Sequence, residues 1–410
     1  MTAKIDGPLQ PMAPAYSPRL ILLFAITCAL AVANVYFAQP LLGAIAHSLA
    51  VTPSVIGVVV SATQLGYALG LLFIVPLGDL FDRKVLMLSQ LLLSAVALAV
   101  AGSAQQWSTL LMAMVLVGLM AVLVQVMVAC AAALAGPAHR GRAVGAVTSG
   151  VVLGILLARL SAGVIADLAG WRAVYFLSSA LMLVAAVVLW RVVPAMEKPA
   201  QVASYSELMR SVFRLLLRER TLQVRGVLAS LIFAAFSVLW TAMVLPLSAA
   251  PWSLSHTQVG LFGLAGIAGA LAASRAGQWA DRGLGQRVTG WSLVLLTLSW
   301  LPSAFVETSL VALVIGVILL DFAVQAVHVT NQSLILAARP DAQSRLVGAY
   351  MCFYSVGSAL GAAAATLVYG QWGWNAVCLL GGAISLAALL FWFATLRLPG
   401  AVKAPCVRVY

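Results

Sequence analysis

Residues 78–83 read GDLFDR, and residues 277–282 read GQWADR. A glycine followed by an Asp-Arg pair thus returns at an offset of 199. Farther along, Pro137, Arg142, Gly145, Gly154, Gly170 and Trp171 meet Pro340, Arg345, Gly348, Gly357, Gly373 and Trp374 at an offset of 203. Matches along two registers and over so many residues mean a duplicated unit. The longest polar segment, 194–225, separates the copies; Pro194 and Pro199 end one helix there, and a short amphipathic stretch follows.

Composition says what the unit is made of. The chain has 410 residues, of which 63% are hydrophobic and only 8% charged, with a mean hydropathy of +1.07. Soluble domains carry about a quarter charged residues. Twelve apolar runs of about 20 residues recur from Leu20 to Ala394, each long enough to cross roughly 30 Å of hydrocarbon as a helix. A closed barrel would show short alternating segments instead. The expected fold is an all-α membrane protein of two pseudo-symmetric six-helix bundles, 19–193 and 226–397, joined by a linker at 194–225 and flanked by tails at 1–18 and 398–410. Parallel six-span repeats are a transporter architecture, with the substrate site between the halves near the midplane.

The net charge of +12 could indicate nucleic acid, but its distribution excludes that reading. Lys4 and Arg19, Arg83 and Lys84, Arg140 and Arg142, the run from Arg191 to Arg225, Arg275 to Arg287, Arg339 and Arg345, and Arg397 to Arg408 fall at every second connection. The alternate connections lack Lys and Arg, Arg172 excepted. This positive-inside pattern places both termini in the cytoplasm and the basic residues against anionic lipid head groups. The five cysteines (Cys28, Cys130, Cys352, Cys378, Cys406) have neither metal nor disulfide-framework spacing. No removable signal peptide is read at the start.

The two signature loops resemble those of the major facilitator superfamily, and the likeness covers nearly the whole chain. Gly78, Leu80, Asp82 and Arg83 match its Gly-x-x-x-Asp-Arg loop, and Gly277, Asp281, Arg282 and Arg287 its second-half copy. The first copy lacks the later glycine and is shorter. The resemblance implies a latch that holds the cytoplasmic gate shut, with Asp82 set against the positive end of the eleventh helix near Ser344. ANVYFAQPLL in the first span, RGRAVGAVTSGVVLGILLARLSAG into the fifth and LLDFAVQAVHVTNQ in the tenth are similar to twelve-span bacterial exporters grouped with purine ribonucleoside and sugar efflux proteins. That likeness implies the bacterial inner membrane. Two positions depart from related patterns. Ala158 and Arg159 stand where drug antiporters carry Gly-Pro, and the fourth span offers only Gln125 where proton-coupled relatives carry Arg-x-x-x-Gly.

The polar residues spent inside hydrocarbon are the candidate site. On the tenth-span helix, Asp321, Gln325, His328 and Gln332 fall within about 60° of one another, a polar stripe on an apolar rod. An aspartate near the bilayer centre costs about 2.5–3.5 kcal/mol unless it is protonated, paired or facing water. Asp321 should therefore face the bundle interior, where it could exchange a proton, with His328 extending the relay or binding substrate. A packing cluster is the alternative. Arg159 could pair with Asp321 as an interdomain lock, bind an anionic group, or snorkel outward. Asn34, Gln39, Gln125, Trp240, Asn331, Gln325 and Gln332 are the expected cavity residues; for the carboxamides helix packing is the competing role, and for Trp240 ordinary packing. Gly150, Gly154, Gly357 and Gly361 form small-xxx-small pairs suited to close helix contact.

These residues predict a secondary transporter that rocks two halves about a central cavity, exporting a small polar or amphipathic solute in exchange for protons. One proton crossing 100 mV supplies about 2.3 kcal/mol, roughly a fifty-fold gradient. Import or uncoupled facilitation by the same fold is the alternative. The expected partners are a small-molecule substrate, protons and membrane lipids, with no nucleic acid, no cofactor and no metal, in a functional monomer. No phosphate-binding loop and no catalytic cluster is present in the sequence, so neither ATP nor enzymatic chemistry is expected.

Overall fold

The computed structural model describes residues 17–194, 204–338 and 343–396. The tails, with Lys4, Cys406 and Arg397 to Arg408, lie outside the described residues apart from 17 and 18, as do Pro199, Arg339 and Pro340 and the side chains of Pro137, Arg140, Asp281 and Ser344.

The apolar runs form helices because a backbone in hydrocarbon must satisfy its own hydrogen bonds. Among the described residues, eight helices are long and apolar enough to cross a membrane unaided. One of them, Arg345–Thr395, is two spans joined at Gly373, whose φ of 73° breaks the helix. Its repeat partner Gly170, with φ 82°, makes the corresponding break between the fifth span (Gly136–Ala169) and the sixth (Trp171–Val192). Side chains rarely adopt that conformation, so glycine is retained at both joints. The second span (Val58–Phe73), the eighth (256–279) and the ninth (285–303) are shorter or interrupted helices, which complete the twelve.

Each bundle is built on the same close contact. The first span (Pro18–Ser48) lies against the fifth so tightly that a Cβ on Gly150 or Gly154 would collide with the carbonyls of Ala25 and Ala29. In the second bundle Gly357 and Gly361 of the eleventh span meet the carbonyls of Ser230 and Ala234 in the seventh (Arg220–Ser248). The small-xxx-small pairs thus serve backbone approach in both copies.

The halves touch along two seams. Spans two and eleven stay together along their length. Gly57 N donates to Thr366 Oγ1 (3.1 Å), Ser61 Oγ to the Ala359 carbonyl (2.6 Å), and Cys352 Sγ lies 3.8 Å from the Ala68 carbonyl. Spans five and eight meet toward the Lys/Arg-poor end. Gly163 packs on the His256 backbone, Gly260 on that of Arg159, and Gly266 on the Leu156 side chain. A Cβ at Gly141 or Gly145 would meet open space.

Connections at the two ends brace these seams. At the basic end the linker helix Tyr205–Arg218 starts with a Ser204/Glu207 capping box. Tyr205 Oη donates to the Phe73 carbonyl (3.1 Å), and Ser211 Oγ accepts from Arg345 Nη1 (2.6 Å), so the linker grips both halves. The seventh-span helix begins at Arg220, before the expected boundary at 226. At the other end Arg172, the exception to the charge pattern, donates to Ser48 Oγ (2.8 Å) and the Ala104 carbonyl (3.0 Å). Arginine at a helix C-terminus satisfies orphan carbonyls.

Candidate functional site

Near the middle of the bundles, Arg159 reaches from the fifth span across the interface. It is 3% exposed, which excludes snorkelling. Its guanidinium carbon lies 3.7 Å from the centroid of the Trp240 indole, with Tyr36 and Phe236 at 5.2 and 5.7 Å. A desolvated cation over an aromatic face is worth about 2 kcal/mol. Arg159 Nε donates to Gln39 Oε1 (2.8 Å), at the break in the first span created by Pro40. No other N–H of this guanidinium has a described acceptor, and Nη2 is fully buried without one. A buried unmet donor costs about 1–3 kcal/mol.

Asp321, also 3% exposed, accepts from Trp240 Nε1 at 3.0 Å. Asp321 and Arg159 form no direct ion pair; Trp240 stands between them, its face to the cation and its edge to the carboxylate. The geometry makes one bridge of Gln39, Arg159, Trp240 and Asp321, drawn from the first, fifth, seventh and tenth spans.

The rest of the tenth-span stripe divides among neighbours. Gln325 packs against Gly269 of the eighth span. His328 Nδ1 lies 3.0 Å from Tyr350 Oη and its ring meets Phe233 edge-on at 5.1 Å. Gln332 is half-buried. Asn331, fully buried, accepts from Arg225 Nη1 (3.3 Å) away from the Asp321 cluster. Arg225 is thus a second buried arginine inside the seventh span, where the sequence places it in the linker.

Two expected cavity carboxamides are held within the amino-terminal bundle. Asn34 accepts from Ser178 Oγ of the sixth span (2.5 Å), and Gln125 Nε2 donates to Tyr67 Oη (3.4 Å). Tyr36 and Tyr354 join the halves through their hydroxyls (2.8 Å). The aromatic residues Phe233, Phe236 and Trp240 were legible as one face of a helix at i, i+3, i+7.

In the first gating loop Asp82 Oδ1 accepts from Lys84 N (2.7 Å) and caps its own third span, Arg83–Ser103; the expected contact with the start of the eleventh falls at Ser344, whose side chain lies outside the described residues. Its extended backbone makes it the N-cap, which aims the carboxylate at the adjacent N–H groups. Gly78 lends its carbonyl to Arg83 Nε (3.4 Å). In the second copy Gly277 lies within the helix Gly266–Trp279, and Arg282 is exposed.

At the Lys/Arg-poor end a second cross-half contact closes the seam. The Asp167 carboxylate accepts from His256 N (3.1 Å) and Thr257 N (2.8 Å), and lies 2.7 Å from His256 Nδ1. The negative charge sits at the positive start of the eighth span.

Two bundles of six spans about a buried charged bridge are the architecture of a membrane transporter. The chain belongs to the Major Facilitator Superfamily, whose model matches residues 23–282 and 225–405. It is 45% identical over 377 residues to the putative uncharacterized transporter YgaY of Escherichia coli K12, covering 92% of this chain and 95% of that one. The multidrug resistance protein MdtG of Klebsiella pneumoniae is 26% identical over 353 residues, 84% of each chain. Among solved structures, a bacterial homologue of the human lysosomal transporter Spinster superposes with a TM-score of 0.79 at 14% identity, covering 95% of this chain and 99% of that one. This last likeness establishes the fold.

Proposed function

We propose that this transporter moves a small polar or amphipathic solute across the bacterial inner membrane in exchange for protons, as a monomer with both termini in the cytoplasm. The observation that carries the reading is the Trp240 bridge between Arg159 and Asp321. The two charges belong to different halves, so a rocking motion must part the guanidinium from the indole and change what faces the carboxylate. Such a change is what proton exchange at a buried acid requires. The similarity to MdtG supports export, and the transmembrane proton gradient would drive it without a cofactor.

A second reading, uptake of the solute together with protons, is favoured by the unpartnered Nη2 of Arg159. An anion held there would offset the positive field acting on Asp321, and the anion and a proton would then favour each other's binding. Proteoliposomes holding a pH-sensitive dye, challenged with nucleosides, sugars, dyes and organic acids, separate the two. Solute and protons moving in opposite senses support exchange. Movement in the same sense supports uptake with protons, and solute movement without any proton flux contradicts both.

A further inference from the structure

We propose that the solute held at this bridge is a small organic monoanion with an aromatic body, its carboxylate or equivalent anionic group seated on the free nitrogens of Arg159. This rests on the transport reading for its physiological meaning, while its test reads binding alone.

The guanidinium is positioned without being satisfied. Gln39 fixes Nε and the Trp240 face fixes the plane, which leaves a rigid pair of donor groups with no acceptor among the described residues. A planar guanidinium with free adjacent N–H groups matches a carboxylate in two parallel hydrogen bonds. The carboxylate already nearby does not fill this role, because Asp321 takes its hydrogen bond from the indole edge. Charge sets the limit at one. A second negative group on the solute would face Asp321, and like charges in a medium this dry repel strongly. A cationic solute would instead meet Arg159 across the same indole.

The walls select the body of the molecule. Tyr36, Phe236, Trp240, Phe233 and Tyr354 converge from three spans around the arginine and the histidine below it. Rings prefer edge-to-face and tilted neighbours, and the observed pairs are of these kinds, at 5.9 Å for Phe233 with Phe236 and 6.1 Å for Phe236 with Trp240. An aromatic solute can extend such a cluster, whereas a sugar would leave its hydroxyls facing carbon.

Benzoate, benzamide and benzylammonium share one ring and differ in charge, so their binding to the purified full-length protein, read by tryptophan fluorescence at constant pH and ionic strength, isolates the claim. Benzoate should bind saturably and about tenfold or more tightly than benzamide, with benzylammonium the weakest. Arg159→Gln should erase the preference for benzoate, and Arg159→Lys should keep part of it. Trp240→Phe, which retains an aromatic ring, should weaken all binding yet keep the order. Equal binding of benzoate and benzamide, tighter binding of benzylammonium, an unaltered order in Arg159→Gln, or no saturable benzoate binding at millimolar concentration would each overturn the proposal. Selective binding without counterflow of labelled benzoate in proteoliposomes would leave the ligand class standing and contradict transport of it.

Discussion

Arg159 and Trp240 meet across the boundary between the two bundles, guanidinium carbon to ring centroid at 3.7 Å, while the same indole donates its N–H to Asp321. A tryptophan so placed is sensed from both sides. What disturbs the cation shifts the ring, and what shifts the ring alters the only described hydrogen bond of the carboxylate.

The close glycine contacts should be intolerant of even one carbon. Gly154→Ala and Gly361→Ala force a Cβ into the carbonyls of Ala29 and Ala234, and each should cost about 1–3 kcal/mol. Gly145→Ala, which meets open space, should be neutral. Melting temperatures of the three purified variants check this; equal stability of all three would contradict the packing described.

The contact at the Lys/Arg-poor end should set how often that end opens. Asp167→Asn keeps an acceptor but removes the charge from His256 and the eighth-span start, a loss of about 1 kcal/mol for so exposed a group, or roughly a fivefold change in population. Spin labels on Leu168 and Leu254 should report longer separations in the variant. An unchanged distance distribution would mean that the seam is held elsewhere.

Locking that end should stop turnover. A Cβ on Gly370 would lie 2.6 Å from that of Ser54, about 1 Å inside the ~3.5–4.5 Å range of a disulfide, so Ser54→Cys with Gly370→Cys should cross-link once the two segments separate by about that much. Oxidation should abolish transport and reductant restore it. Full activity of the oxidised pair would show that this end need not open.

The fold could be read largely from the sequence, because hydrocarbon leaves the backbone one solution and the duplication supplies the symmetry; Gly170 and Gly373 even share their left-handed turn. Asp321 and Arg159 stood out because charges are rare in such spans. Their relationship did not, since helical spacing says which residues share a face and nothing of which neighbour that face meets. Asn34 illustrates the gap: its carboxamide reads as cavity or as packing, and the structure adds Ser178 as a partner for its oxygen while its Nδ2 stays buried without a described one. Arg225 was hidden by the basic run around it. Composition and periodicity carry no information on contacts between halves, and the central bridge is made of such contacts.

The most direct test of the central claim compares wild type with Asp321→Asn in proteoliposomes, measuring solute exchange and solute-driven proton flux on the same preparation. The bridge predicts that the variant, which keeps an acceptor for Trp240 but cannot ionise, retains solute exchange and loses proton flux. Proton flux unchanged from wild type would assign Asp321 to packing and contradict the account.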